Sequence, residues 1–133
     1  MYLKYNKHIY YMIEVACGIM YNKNNKILMG KRANNKLHKG YWEFPGGQLE
    51  KNENIEECLH REWMEELNVN ISIEKELYSY YYDEKYFCRF FVGKILDEEN
   101  IKMIDHEEIK LLDKKDIYNL NLFEGDSIVL DKL

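Results

Sequence analysis

The sequence lacks the features that would assign it to several large classes of protein. No apolar run approaches the roughly 18 residues that a transmembrane helix needs. Residues 1–8 carry neither an apolar core nor a small-residue cleavage site, so we expect no signal peptide. No basic cluster is longer than two residues and the net charge is −5, which argues against a polynucleotide surface. We therefore expect a cytoplasmic protein that binds neither membranes nor nucleic acid polymers.

Cysteine is scarce, and its three occurrences do not suggest pairing. Cys17, Cys58 and Cys88 are widely spaced and stand in mostly apolar contexts. This arrangement predicts reduced core cysteines rather than a disulfide framework or a zinc site. We expect structural roles for the following residues, which show no metal-like spacing: Cys17, Cys58, His38, His60 and His106.

Length and composition predict one α/β domain over residues 1–133. Hydrophobic residues make up 46% of the chain and charged residues 32%, which is typical of a globular protein. A terminal helix is expected over 128–133, after a single helical turn with Asp113 and Asp116 as caps. Strands are expected over residues 9–21, 26–32, 41–44, 71–81, 86–95 and 106–112.

One longer helix is predicted near the centre of the chain, ending at about Leu67. Asn52 or Asn54 can cap its start, and Asn68 can adopt the left-handed conformation at its end. The apolar positions recur at steps of four and predict a face packed on a sheet; they are Ile55, Leu59, Trp63 and Leu67.

Three glutamates crowd one side of this helix. Glu62, Glu65 and Glu66 lie three and four positions apart, within about 100° of arc. Like charges at this spacing repel by roughly 0.2–0.5 kcal/mol per pair, and a divalent cation would relieve that repulsion. The bend predicted at residues 45–47 lets backbone carbonyls approach a ligand closely. The stretch therefore predicts a loop and helix that bind Mg²⁺.

The same stretch resembles the Nudix box, whose pattern is Gly-x5-Glu-x7-Arg-Glu-U-x-Glu-Glu-x-Gly-U, with U a bulky apolar residue. Gly47, Glu53 and Arg61 stand at the spacing of that pattern, and residues 61–69 read Arg-Glu-Trp-Met-Glu-Glu-Leu-Asn-Val. Only Asn68 departs from it, because the family has glycine there. Three other segments resemble the first hairpin, the approach to the box and the C-terminal helix start of MutT-like members: residues 15–32, 42–47 and 122–129.

The resemblance implies the Nudix fold, an α/β/α sandwich around a mixed β-sheet. It implies that Mg²⁺ or Mn²⁺ is bound by Glu62, Glu65, Glu66 and the Gly46 carbonyl. Glu53 and Arg61 would lie behind these ligands, with the arginine orienting a carboxylate through a bidentate pair. A purely structural salt bridge is equally compatible with Arg61.

The implied reaction is attack of water on a phosphorus of a nucleoside diphosphate linkage. Glu62 is the first choice for the general base, Glu65 the second, and Glu107 or Glu108 the third. In MutT-like members a nucleoside triphosphate is split into a monophosphate and pyrophosphate. Two alternatives stay open. One is hydrolysis of ADP-ribose or a nucleotide sugar, which the absence of proline after Pro45 disfavours, and the other is a non-catalytic nucleotide-sensing domain.

Substrate contacts are predicted at Arg32, Asp126, Phe90 and Glu108, with Tyr86 as a second residue that could stack on a base. The Asp126 carboxylate would suit the N7–H of an oxidised guanine, as in 8-oxo-dGTP, and equally the amine of cytosine, as in CTP. The alternative for Asp126 is a helix N-cap, and for Arg32 a strand-end side chain that reaches solvent. The partner is a small nucleotide, and the chain could be a monomer or a homodimer.

Overall fold

The computed structural model of the chain describes residues 2–5 and 8–133, with side chains from Met12 onward. Strands β1 (Tyr2–Tyr5) and β2 (His8–Tyr11) form a separate antiparallel pair. No helix within the described residues is long and apolar enough to cross a membrane. The other strands are β3 (Ile13–Tyr21), β4 (Ile27–Lys31), β5 (Trp42–Glu43), β6 (Gly46–Gln48), β7 (Ile71–Tyr82), β8 (Tyr86–Ile95) and β9 (Glu108–Leu112). The helices are α1 (Ile55–Leu67), α2 (Lys114–Ile117) and α3 (Glu124–Leu130).

Seven strands form one mixed sheet in the order β5-β4-β3-β8-β7, with β6 paired to β3 and β9 paired to β4. Strand β3 runs parallel to β8, while β7 pairs antiparallel with β8. Side chains on β3 alternate between two cores. Ala16 and Met20 belong to the core under α1, whereas Cys17 and Ile19 belong to the core under α2 and α3. Helices therefore cover both faces, which confirms the predicted sandwich around a mixed sheet.

Helix α1 has the predicted pattern. Asn54, rather than Asn52, is its N-cap, with reciprocal bonds between Asn54 and Glu57. Asn68 is the C-cap in the left-handed conformation, with φ of 60°. The buried side chains of the predicted stripe are Leu59, Trp63 and Leu67, and Ile55 is partly buried. The stripe and the C-cap are confirmed.

Other predicted boundaries were wrong because long-range pairing decides them. The strand expected over 9–21 is divided, since its first part pairs with β1 and its second part with β6 and β8. The side chains of residues 9–11 lie outside the described part. The last strand begins at Glu108 rather than at residue 106. Helix α3 begins at Glu124 rather than at residue 128, shortly after Leu122, which forms a parallel bridge with Trp42. Asp113 precedes α2 without a side-chain capping bond, and Asp116 lies inside it.

Candidate active site

The bend between β5 and β6 fixes α1 against the sheet. Trp63 Nε1 donates to the Pro45 carbonyl over 2.9 Å, and the same carbonyl accepts the Gly18 N–H over 2.8 Å. Gly46 passes so close to the Ala16 carbonyl that a Cβ at this position would overlap with it. Glycine is therefore required at Gly46 by the close approach of β6 to β3.

Arg61 gathers three of the predicted acidic residues. Its Nε and one Nη form a bidentate pair with Glu53 at 2.9 and 2.8 Å. The other Nη donates to Glu62 over 2.9 Å and to Glu65 over 3.1 Å. The hydrogen bonds from Arg61 lower the pKa of Glu53 to about 2. We call the side of α1 that carries Glu62, Glu65 and Glu66 the acidic face. Arg61 thus holds the Glu53 carboxylate behind this face and orients those of Glu62 and Glu65 on it.

The acidic face holds one carboxyl group, that of Glu66, which Arg61 does not bind. Glu66 is only 7% exposed, and its Oε2 has no hydrogen-bond partner among the described residues. Burial, followed by the charges of Glu43 and Glu62, raises the pKa of Glu66 to about 10. Burial also raises the pKa of Glu62, whose carboxylate packs on Gly47 where any Cβ would collide with it. Oxygen ligands with an unsatisfied buried atom fit a divalent cation such as Mg²⁺.

Two residues that the sequence analysis missed adjoin this face. His106 Nε2 lies 2.8 Å from Glu43 Oε2 and 3.8 Å from Glu66 Oε1. The three side chains offer potential ligand atoms within 4.8 Å of one another. The only available signal was the position of Glu43 in residues 42–47, the segment that resembles the approach to the box.

A cavity of about 330 Å³ opens beside the acidic face. Gly47 belongs to both the cavity and the acidic face, because it lines the cavity and supports the Glu62 carboxylate. Aromatic and aliphatic side chains make up most of the remaining wall, as is usual for small-molecule sites. The wall includes Val15, Cys17, Arg32, Leu37, His38, Glu43, Phe44, Gln48, Tyr80, Tyr82, Tyr86, Cys88, Phe90, Phe123, Gly125 and Asp126.

Four of the predicted substrate contacts meet at this cavity: Arg32, Tyr86, Phe90 and Asp126. Arg32 donates to the Leu37 carbonyl over 2.8 Å and to Glu43 over 3.1 Å. Its anionic partner is therefore internal, and its side chain is 27% exposed.

Asp126 lies in the first turn of α3 but is not its N-cap, which is Phe123, so that alternative was wrong. Its buried carboxylate accepts the Phe44 N–H over 3.0 Å. Burial raises the pKa of Asp126 well above its ordinary value, and this outweighs the opposing effect of the bond from Phe44. A raised pKa favours the neutral form of this carboxyl group, which can donate a hydrogen bond into the cavity.

Glu107 and Glu108, the third choice for the general base, lie outside the cavity wall. Glu107 pairs with Lys31 at 3.8 Å and accepts from Asn34 over 2.9 Å. Glu108 is exposed and pairs with Lys110 at 3.7 Å. Neither residue lines the cavity, so the structure does not bring Glu108 together with the other predicted substrate contacts.

A sequence model of the NUDIX domain matches residues 12–132. The chain belongs to the NUDIX domain family. It is 37% identical to an 8-oxo-dGTP diphosphatase of Proteus vulgaris over 45% of this chain and 54% of that protein. It is also 37% identical to a CTP pyrophosphohydrolase of Escherichia coli K12 over 47% of this chain and 45% of that protein. The matched part thus spans about half the length of these relatives.

Solved structures agree with the family assignment. A NUDIX hydrolase from Nitrosomonas europaea is 27% identical and superposes with a TM-score of 0.80, over 92% of this chain and 71% of that one. The mixed sheet between helices is therefore the Nudix fold.

Within this Nudix fold, the expectation of purely structural roles was incomplete for several residues. Cys17 and His38 line the cavity, as does Cys88, which was predicted only to be a reduced core cysteine. Cys58 is a buried free thiol next to Arg61, as expected for a core cysteine. The sequence carried no signal for the first three, because they come from separate strands and a loop that only the sheet brings together.

Proposed function

We propose that the chain is a Mg²⁺- or Mn²⁺-dependent hydrolase that splits a nucleoside triphosphate into a nucleoside monophosphate and pyrophosphate. The observation that carries the proposal is the position of Gly47, which lines the cavity on one side and supports Glu62 on the other. A nucleotide whose base occupies the cavity would therefore extend its phosphates towards the acidic face. The curated relatives act on 8-oxo-dGTP and CTP, which is consistent with this class of substrate.

In this proposal, Glu62, Glu65, Glu66 and the Gly46 carbonyl hold the cation. When bound, the cation would neutralise phosphate charge and acidify the attacking water. Arg61 holds Glu62 and Glu65 in place, and Glu53 keeps Arg61 aligned through its bidentate pair. Glu62 is the first candidate to accept the proton of the water, because its pKa is already raised by burial, and Glu65 is the second.

The cavity would hold the base. Tyr86 is partly exposed at its wall and offers aromatic surface to a base, whereas Phe90 is almost fully buried and would support the base-binding wall from behind. Asp126 would face the polar edge of the base, and Arg32 would contribute the N–H groups that Leu37 and Glu43 leave free. An oxidised guanine and cytosine both present groups that this lining can bind.

The experiment is a panel of nucleotides assayed with Mg²⁺, in which pyrophosphate and orthophosphate release are measured separately. We expect pyrophosphate from 8-oxo-dGTP, CTP or a related triphosphate. Turnover of ADP-ribose or nucleotide sugars alone would move the function to another diphosphate linkage. Nucleotide binding without any turnover, in folded protein with Mg²⁺ or Mn²⁺, would instead support a sensing domain.

A further inference from the structure

His106 reaches its partner across a strand. The residue precedes β9, where Ile109 pairs with Gly30 of β4, while on the other side of β4 the same Gly30 pairs with Glu43 of β5. The ring of His106 occupies the space where a side chain at Gly30 would be. Glycine at this position therefore opens the passage through which His106 contacts Glu43.

The hydrogen bonds determine the tautomer of His106. A carboxylate can only accept, so Nε2 carries the hydrogen that it donates to Glu43 over 2.8 Å. Nδ1 is buried and has no hydrogen-bond partner among the described residues. A metal on Nε2 would require the hydrogen on Nδ1, where it would be a buried donor without a partner. Histidines that bind metals almost always donate their other N–H, so this geometry favours a hydrogen-bond donor over a metal ligand.

Glu43 transmits the contact to the cavity. One of its oxygens accepts from His106, and the other accepts from Arg32 over 3.1 Å. Arg32 lines the cavity, and the only other hydrogen bond of its side chain among the described residues is to the Leu37 carbonyl. The direction of the Arg32 guanidinium therefore depends on where Glu43 is held.

We propose that His106 is a positioning residue for the nucleotide site: through the gap at Gly30 it holds Glu43, and Glu43 holds the Arg32 guanidinium in the cavity wall. His106 also lies 3.8 Å from Glu66, so the same ring spans the space between the cavity wall and the acidic face. The kinetic part of this inference rests on the proposed nucleotide hydrolysis. The positioning of Arg32 does not, and it can be measured without substrate.

The direct test uses ¹⁵N relaxation of arginine side chains in the metal-free protein. The chain has three arginines, and the Nε of Arg61 and Arg89 are bound by Glu53 and Glu76, each at 2.9 Å, so these two are internal controls. The arginine Nε signal that disappears in Arg32→Lys is assigned to Arg32. We expect Gly30→Ala, which displaces the His106 ring, to increase the motion of the Arg32 guanidinium and leave the other two unchanged.

Three further variants separate positioning from packing. His106→Gln can place an amide N–H near the position of Nε2 and should keep Arg32 ordered, whereas His106→Asn is too short and should release it. Glu43→Gln retains the volume of the side chain but cannot accept from both partners equally well, and it should also release Arg32. Unchanged motion of Arg32 in Gly30→Ala and Glu43→Gln, with Arg61 and Arg89 ordered, would overturn the proposal.

The kinetic test uses the triphosphate that gives the fastest turnover in the panel. We expect His106→Asn to raise KM about tenfold, the lower end for residues that act through another side chain, with a smaller effect on kcat. His106→Gln should restore most of the loss. A uniform loss of kcat in both variants with an unchanged KM would contradict the positioning of Arg32. It would leave the proposed hydrolysis standing, because the wild-type assay tests that separately.

Discussion

The acidic face and the cavity share Gly47 but are built in different ways. The acidic face comes from one bend and one helix, and its residues lie within positions 46–66. The cavity draws on β3, β5, β6, β7, β8, α3 and the loop after β4, so its lining extends from Val15 to Asp126. A helix repeats every 3.6 residues, so spacing alone brings carboxylates together. The cavity depends on strand order, which no local pattern reports.

The largest effects are expected on the acidic face. Glu65→Gln and Glu66→Gln should each reduce kcat by more than about 100-fold, beyond the usual cost of losing a residue that only supports a metal ligand. Glu56→Gln is the matched control, because Glu56 is exposed in the first turn of α1. If Glu65→Gln or Glu66→Gln has the same kcat as Glu56→Gln, the substituted residue is not a ligand of the metal.

Arg61→Lys should reduce activity by about 10- to 100-fold. A lysine cannot form the bidentate pair with Glu53 and still reach Glu62 and Glu65. The measurement is kcat together with Mn²⁺ affinity by electron paramagnetic resonance. Wild-type Mn²⁺ affinity in a folded variant would make Arg61 a structural salt bridge, the alternative that the sequence left open.

Stability of the metal-free protein should depend on pH through Glu66. Its folded pKa of about 10 lies above the ordinary value of about 4.3, so the folded state binds more protons between these limits. The free energy of unfolding should therefore fall as pH rises from 5 to 8, by at most about 1.4 kcal/mol per unit from this group. Equilibrium unfolding in urea at several pH values measures the slope.

Glu66→Gln should flatten this slope, and Mg²⁺ should raise stability more at pH 8 than at pH 5. Asp126, whose pKa is also raised, contributes in the same direction, so some slope will remain in the variant. A slope that Glu66→Gln leaves unchanged would place the titrating group elsewhere.

In the cavity, we expect Asp126→Asn and Asp126→Ala to differ. A protonated aspartic acid and asparagine each carry a carbonyl oxygen that accepts and a second group that donates, so Asn should keep the bond from Phe44 and the wild-type base preference. Alanine leaves the Phe44 N–H unpaired and should change the ratio of kcat/KM for 8-oxo-dGTP and CTP by about tenfold, in the range expected for a lost buried hydrogen bond. Equal behaviour of both variants would indicate an ionised carboxylate.

The smallest effect is expected at Asn68, where the chain departs from the family pattern. Glycine tolerates φ of 60° better than asparagine, but Asn68→Gly would also lose the bond to the Asn100 carbonyl at 3.1 Å. These effects oppose each other, so we expect a change in unfolding free energy within about 0.5 kcal/mol, as for most surface substitutions. A loss of activity would show that Asn68 does more than end the helix.

Predictions from the sequence were most accurate where chemistry and conformation are local. The capped helix, its buried stripe and the left-handed Asn68 all follow from spacing within one segment, and the family pattern rests on the same residues. Arg32, Phe90 and Asp126 were each predicted as substrate contacts from the family resemblance and from the chemistry of the single side chain. Their common cavity could not be derived from spacing, because they are separated by 36 to 94 positions, as the difference between their numbers shows.

Local residue order was sufficient to specify the acidic face next to Gly47, since the helical repeat of α1 places Glu62, Glu65 and Glu66 on one side. Tertiary structure decided the rest of the site. Burial, rather than residue type, raised the pKa of Asp126 and of Glu66, and it left Glu66 Oε2 without a hydrogen-bond partner among the described residues. Strand pairing at Gly30 brought His106 to Glu43 across 63 positions of sequence. Such contacts depend on the register of three strands at once, and only the folded sheet sets that register.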